Sequence, residues 1–115
     1  MTGRPLALVV EDTPDQVALL RRYLDREGYE VFAAADAESA IAAFDDIDPA
    51  LAVIDLILPG ISGQECARRV QTRFPACFLV ISSVLDAADY PPADAALPKP
   101  ITGAAVHDIV ERMPR

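Results

Sequence analysis

Five positions carry side chains that could do chemistry together: Glu11, Asp12, Asp55, Ser82 and Lys99. Asp55 closes the apolar run Ala50-Leu51-Ala52-Val53-Ile54 and is followed by Leu56-Ile57-Leu58-Pro59-Gly60-Ile61-Ser62-Gly63. An apolar run of that length, stopped by turn formers, reads as a buried strand. A carboxylate therefore stands where the strand leaves the core. Glu11-Asp12 close a second such run, Ser82-Ser83 a third, and Lys99 follows a fourth. Three carboxylates in one crevice repel, and a hard divalent cation such as Mg²⁺ relieves that strain with oxygen ligands. Lysine adds a compact mobile positive charge, and serine a hydroxyl that can donate. A carboxylate nucleophile beside a cation, an ammonium and a hydroxyl is the equipment for forming an aspartyl phosphate. Such transfer depends on positioning and charge neutralisation more than on acid–base chemistry. Taken singly, Asp55 and Glu11-Asp12 are ordinary turn residues, Ser82 a strand-end hydroxyl and Lys99 a solvated charge. Their joint arrival at successive strand ends is what those plainer readings leave unexplained.

The elements that must position them are legible in the hydrophobic pattern. Leu6-Ala7-Leu8-Val9-Val10 is a first buried strand, and Thr13 or Asp12 caps a helix with Pro14 at its first position. Val17, Leu19, Leu20 and Leu24 make its apolar stripe, and Gly28 its stop. Tyr29 to Ala34 gives an alternating second strand, and Asp36 caps a helix running through Ala40, Ile41 and Phe44 to Asp48-Pro49. After the Asp55 strand, Ser62 or Gly63 opens a helix with Cys66, Ala67, Val70 and Phe74 on one face. Phe78-Leu79-Val80-Ile81 is a fourth strand and Asp94-Ala95-Ala96-Leu97 a weak fifth. Thr102 caps a last helix that faces inward with Ala105, Val106, Ile109 and Val110. Continuous apolar strands alternating with amphipathic helices predict an α/β fold. Right-handed crossovers then give a doubly wound five-stranded parallel sheet, flavodoxin-like, with helices on both faces. Ligands of such sheets bind outside the carboxyl ends of the strands.

The 115 residues suit one domain with its own core. A net charge of −8 argues against nucleic acid and anionic membranes as partners, because both require a basic face. No apolar stretch is long enough for a membrane helix, and the start lacks a signal-peptide core. Cys66 and Cys77 without a secretory signal read as reduced core thiols, which points to the cytoplasm. His107 reads as a solvent-side residue of the last helix, and the pairs Arg21-Arg22 and Arg68-Arg69 as solvated helix faces. No glycine-rich nucleotide loop is present, so no ATP site is expected.

Over essentially its whole length the chain resembles a receiver domain of bacterial two-component response regulators. The residues that carry the likeness are Val9-Val10-Glu11-Asp12, the unbroken stretch from Asp55 to Gly63 with Pro59 in place, Ser82, and Lys99-Pro100. The resemblance implies Asp55 as phosphoacceptor and a Mg²⁺ site made by Glu11, Asp12, Asp55 and the backbone carbonyl of Ile57. It implies Ser82, with Ser83 beside it, and Lys99 as phosphoryl-binding groups, Ser82 as the switch hydroxyl, and a cis bond at Lys99-Pro100. The expected partners are a sensor histidine kinase or histidine phosphotransfer protein as donor, and a downstream protein as target. The expected domain is a single receiver over residues 1–115 with no output module, acting on nothing but its own phosphorylation and dephosphorylation.

Three departures from the family qualify this. The position three before the lysine, where an aromatic switch residue is common, is Ala96, and nothing in the sequence requires Tyr90 to replace it. The stretch from Val84 to Tyr90 allows about two helical turns before Pro91-Pro92, so the helix between strands four and five is short. That helix and strand five form the family's common dimer and partner face, so signalling here is expected through the first helix or the loops round Asp55. Finally, Ile57 and Val84 flank the path of an attacking water in this family, and neither can hydrogen-bond it. The expectation is a long-lived phosphorylated state. Two other classes remain: an interaction module that has lost phosphorylation, and an aspartate-nucleophile phosphatase. The phosphatase needs an acid–base aspartate where Ile57 stands.

Overall fold

A computed structural model describes residues 3–85, 88 and 90–114. Five strands form one parallel sheet: β1 (Leu6–Val10), β2 (Glu30–Ala34), β3 (Leu51–Asp55), β4 (Phe78–Ser82) and β5 (Ala95–Ala96). Their order is β2-β1-β3-β4-β5. Among the described residues, four α-helices accompany them: α1 (Pro14–Arg26), α2 (Ala37–Ala42), α3 (Gly63–Arg73) and α4 (Gly103–Arg112). The fold is the doubly wound, flavodoxin-like α/β sheet that the alternating pattern predicts.

The two faces explain why the strands are apolar throughout. Leu8, Val10, Ala52, Ile54, Leu79 and Ile81 meet Ala40 of α2 and Cys66, Ala67 and Val70 of α3. Their neighbours Ala7, Val9, Leu51, Val53 and Val80 face the other way, onto Leu20 and Leu24 of α1 and Val106 and Ile109 of α4. Successive side chains of a strand point to opposite faces, so covering both faces removes any need for polar residues. Among the described residues, buried polar or charged side chains appear at the carboxyl ends: Glu11, Asp55, Ser82 and Ser83. The chain winds from β1 to β2 on one side and reaches β3 on the other, and that reversal opens a crevice at the ends of β1 and β3.

The boundaries differ from the sequence expectation at four places. β2 begins at Glu30, because Tyr29 still belongs to the stop of α1: its N–H reaches Leu24 O at 3.0 Å while that of Gly28 reaches Asp25 O at 3.0 Å. The strand lies at the sheet edge and is half-buried along most of its length, so it shows no clean alternation. α2 stops at Ala42, and a separate 3₁₀ turn over Phe44–Asp46 carries Phe44 edge-on against Phe74, with ring centroids 5.2 Å apart. β5 is two residues long, yet backbone bonds from Leu97 N–H to Ile81 O at 2.8 Å and from Lys99 N–H to Ser83 O at 3.0 Å carry the pairing onward. Fourthly, Thr13 is the N-cap of α1 by conformation, but its side chain makes no capping bond. Of the expected short helix over 84–90, Asp86, Ala87 and Asp89 lie outside the described residues.

Candidate functional site

Every candidate comes from a strand end. β3 and β4 pair so that Asp55 stands opposite Ser82, and β1 ends one residue before Glu11. Lys99 enters from the segment after β5 and joins them. Its Nζ donates to Glu11 Oε1 at 2.6 Å and to Asp55 Oδ2 at 2.9 Å. The remaining oxygens are held by backbone: Glu11 Oε2 accepts from Thr13 N–H at 3.0 Å, and Asp55 Oδ1 from Ile57 N–H at 3.0 Å. Glu11 thus takes up the N–H of Thr13, the N-cap residue of α1.

Glu11 and Asp55 are buried and Asp12 is exposed, and one carboxylate oxygen from each lies within 4.8 Å of the others. Burial works against the Lys99 charge, but the hydrogen bonds and attraction of Glu11 and Asp55 outweigh it and lift the ammonium above its ordinary range. Lys99 therefore stays charged at neutral pH. Ser82 is buried, and its Oγ has no hydrogen-bond partner among the described residues. A buried hydroxyl left unpaired is costly, so such a group in a polar crevice is poised for a ligand oxygen. The hydroxyl of Ser83 is directed to the following loop, where it accepts from Leu85 N–H at 3.3 Å. The Lys99-Pro100 peptide is cis.

Three carboxylates, one of them facing solvent, suit a hard cation that retains waters, so the donor set fits Mg²⁺. α3 approaches this corner closely through Gly63. A Cβ at that position would collide with the Asp55 carbonyl oxygen and with Leu56 Cα, so a side chain there would displace the backbone that carries Asp55. Among the described residues, three large apolar side chains are exposed: Ile57 at 53%, Val84 at 70% and Leu85 at 44%. They belong to the loops that follow Asp55 and Ser82.

Two contacts escape sequence reasoning. Tyr90 is half-buried against the core under α2 and α3, and its hydroxyl donates to Ser83 O at 2.9 Å, whereas Ala96 is exposed. An aromatic ring is thus tied to the residue after Ser82 from a position the family pattern does not point to. Glu38 of α2 reaches Ile61 N–H at 2.8 Å. Neither has a signal in spacing, since each depends on how a loop is laid across the sheet. His107 is exposed on α4 and bonds Glu27 at 3.0 Å, and it has no contact with the five candidates among its hydrogen bonds and ion pairs in the described residues.

A parallel sheet in this order, with acidic, hydroxyl and ammonium groups gathered at its carboxyl edge, defines a receiver-type α/β signalling domain. The response regulator receiver domain family matches residues 7–111, and the chain belongs to it. Among its relatives is the transcriptional regulatory protein TrcR of Mycobacterium tuberculosis, 38% identical over 89 residues, covering 73% of this chain and 35% of that protein. Another, the transcriptional regulatory protein TcrA of the same organism, is 52% identical over 62 residues, covering 53% of this chain and 24% of that protein. The chain thus spans about a third or less of either relative. Among solved structures, the response regulator protein TrrA of Thermotoga maritima, in complex with Mg²⁺-BeF, superposes with a TM-score of 0.85 at 26% identity, covering 96% of this chain and 99% of that one. Receiver domains are signalling domains in general, not catalysts. Among the described residues, no helix is long and apolar enough to cross a membrane.

Proposed function

We propose that this domain accepts a phosphoryl group from a phosphohistidine onto Asp55 and thereby regulates a protein partner. The observation that carries the reading is the Lys99 ammonium shared between Glu11 and Asp55, next to the unpaired hydroxyl of Ser82. Asp55, held in place from two sides, attacks phosphorus. An O–P bond forms, the N–P bond of the donor imidazole breaks, and the electron pair leaves on nitrogen, where a proton is taken up. Lys99 balances charge on the transferred group, and Ser82 donates its hydroxyl to a phosphoryl oxygen. Ser83 adds a second hydroxyl nearby. Glu11, Asp12, Asp55 and the Ile57 carbonyl would hold Mg²⁺, which when bound would neutralise negative charge on the phosphoryl oxygens.

The donor is a sensor histidine kinase or a histidine phosphotransfer protein, and the domain acts only on its own phosphorylation and dephosphorylation, in the cytoplasm. The acidic balance, −8 overall, favours protein partners over nucleic acid or membrane. Residues 1–115 act as one receiver unit. Two of the relatives are transcriptional regulators longer than this chain, so any output on DNA belongs to the whole protein in which such a domain works. Signalling passes through α1 or the loops round Asp55, where Ile57 is already exposed. Amide shifts confined to residues 84–98 on adding a phosphoryl mimic would count against that route.

The decisive experiment is incubation with a small phosphodonor and Mg²⁺ followed by intact mass. Addition of one phosphoryl group, lost in Asp55→Ala, supports the reading. Turnover of the donor without accumulation would point to a phosphatase, and no reaction at all to an interaction module.

A further inference from the structure

The loop from β3 to α3, residues 56–62, must hold its backbone still beside Asp55, because both the Ile57 N–H and the Ile57 carbonyl belong to the site. At its far end Ser62 caps α3, its Oγ accepting from Glu65 N–H at 3.1 Å, and Gly63 N–H reaches Leu56 O at 3.3 Å. Its apolar members Leu56, Leu58 and Ile61 pack on the core, but its crest at Pro59 and Gly60 is exposed. Among the described residues, one side-chain hydrogen bond besides that of Asp55 to the Ile57 N–H reaches the backbone of this loop from another element. It is that of Glu38, whose Oε1 accepts from Ile61 N–H at 2.8 Å.

The fit is close. Gly60 has φ 71°, and a Cβ there would lie 2.6 Å from Glu38 Oε2, so the carboxylate rests directly on the turn. Glycine takes that conformation without strain and leaves the space the carboxylate fills. Glu38 is itself fixed, since Asp36 caps α2 through Ser39 N–H at 2.7 Å and thereby sets the first turn in which Glu38 stands. The sheet-edge helix α2 thus clamps the loop that follows the phosphoacceptor.

We propose that Glu38 is a positioning residue for phosphoryl acceptance: it holds the turn at Gly60-Ile61 so that the Ile57 backbone stays in register with Asp55. The proposal rests on the phosphoacceptor reading above. It assigns Glu38 a role through its acceptor oxygen and not through its charge. Glu38→Gln keeps an oxygen that can accept from Ile61 N–H, whereas Glu38→Ala removes it. Because Glu38 is exposed, both variants are expected to fold.

The test follows amide resonances of Ile57 and Ile61 by NMR during Mg²⁺ titration, together with hydrogen exchange at Ile61. In Glu38→Ala the Ile61 amide should exchange faster and Mg²⁺ affinity should fall about tenfold, the low end for partners that orient metal ligands. Glu38→Gln should stay near wild type in both, and phosphorylation rates with a small donor should follow the same order. Unchanged Mg²⁺ affinity in Glu38→Ala overturns the proposal. So does an equal loss in Glu38→Gln, which would assign the effect to charge. A wild-type protein that binds no Mg²⁺ and takes no phosphoryl group overturns the phosphoacceptor reading itself, and this proposal with it.

Discussion

Lys99 balances two carboxylates with one ammonium, and that shared contact has a measurable pH signature. Its ion pairs raise its folded-state pKa above 10.5, so their contribution to stability is complete below the unfolded value and fades as pH rises through the folded one. Denaturant midpoints should therefore decline above about pH 10.5 in the wild type and decline less steeply in Lys99→Met. Midpoints that fall in parallel would mean that the lysine is not the titrating group. Ile57 offers a second residue-scale outcome. It stands two residues after Asp55 with half its surface exposed, and it cannot orient a water for attack on an acyl phosphate. Ile57→Asn should shorten the lifetime of the phosphorylated protein several-fold, followed as loss of the added mass with time. Equal lifetimes would remove the idea of a long-lived state.

The elements matter because their ends, not their middles, carry the chemistry. α3 can start against the end of β3 only because Gly63 has no Cβ to meet the Asp55 carbonyl. Gly63→Ala should cost about 1–3 kcal/mol of stability, the usual penalty for forcing atoms into a packed site. Urea unfolding would measure that cost. The same variant should slow phosphoryl uptake, since the displaced backbone carries Asp55, the proposed acceptor. A variant as stable and as fast as wild type would show that the close approach can relax without consequence. On the exposed face of α3, Glu65 is drawn down to about 2 by its bonds to Arg68 and Arg69, so it stays ionised through mildly acidic pH.

At the scale of the molecule, two apolar layers sandwich the sheet, and the thiols belong to one of them. Burial first, then the nearby Glu38 charge, pushes Cys66 up to about 11; burial with Asp94 and Asp48 pushes Cys77 to about 12. Thiolate is the reactive form, so both should resist alkylation in the folded protein at pH 8 and react fully in denaturant. Mass spectrometry after iodoacetamide treatment reads this directly, and rapid labelling of the native protein at either position would contradict the packing. The layers also account for the crevice itself. With α1 and α4 on one side and α2 and α3 on the other, the carboxyl edge of the sheet is the surface the helices leave open.

Local pattern was enough to determine the alternation of strands and helices, the caps at Asp36, Ser62 and Thr102, and the five polar residues at strand ends. Each of those depends on neighbours a few positions away: a period of two or 3.6, a turn former, a capping side chain. The halt of α2 before Phe44, the engagement of Tyr90 with Ser83 and the clamp of Glu38 on Ile61 were decided by the assembled fold. They join groups 7 to 30 residues apart across packed surfaces, and a linear pattern holds no record of which loop will lie on which helix. The sequence thus determined the chemistry available to this protein, and the tertiary structure decided which groups hold it in place.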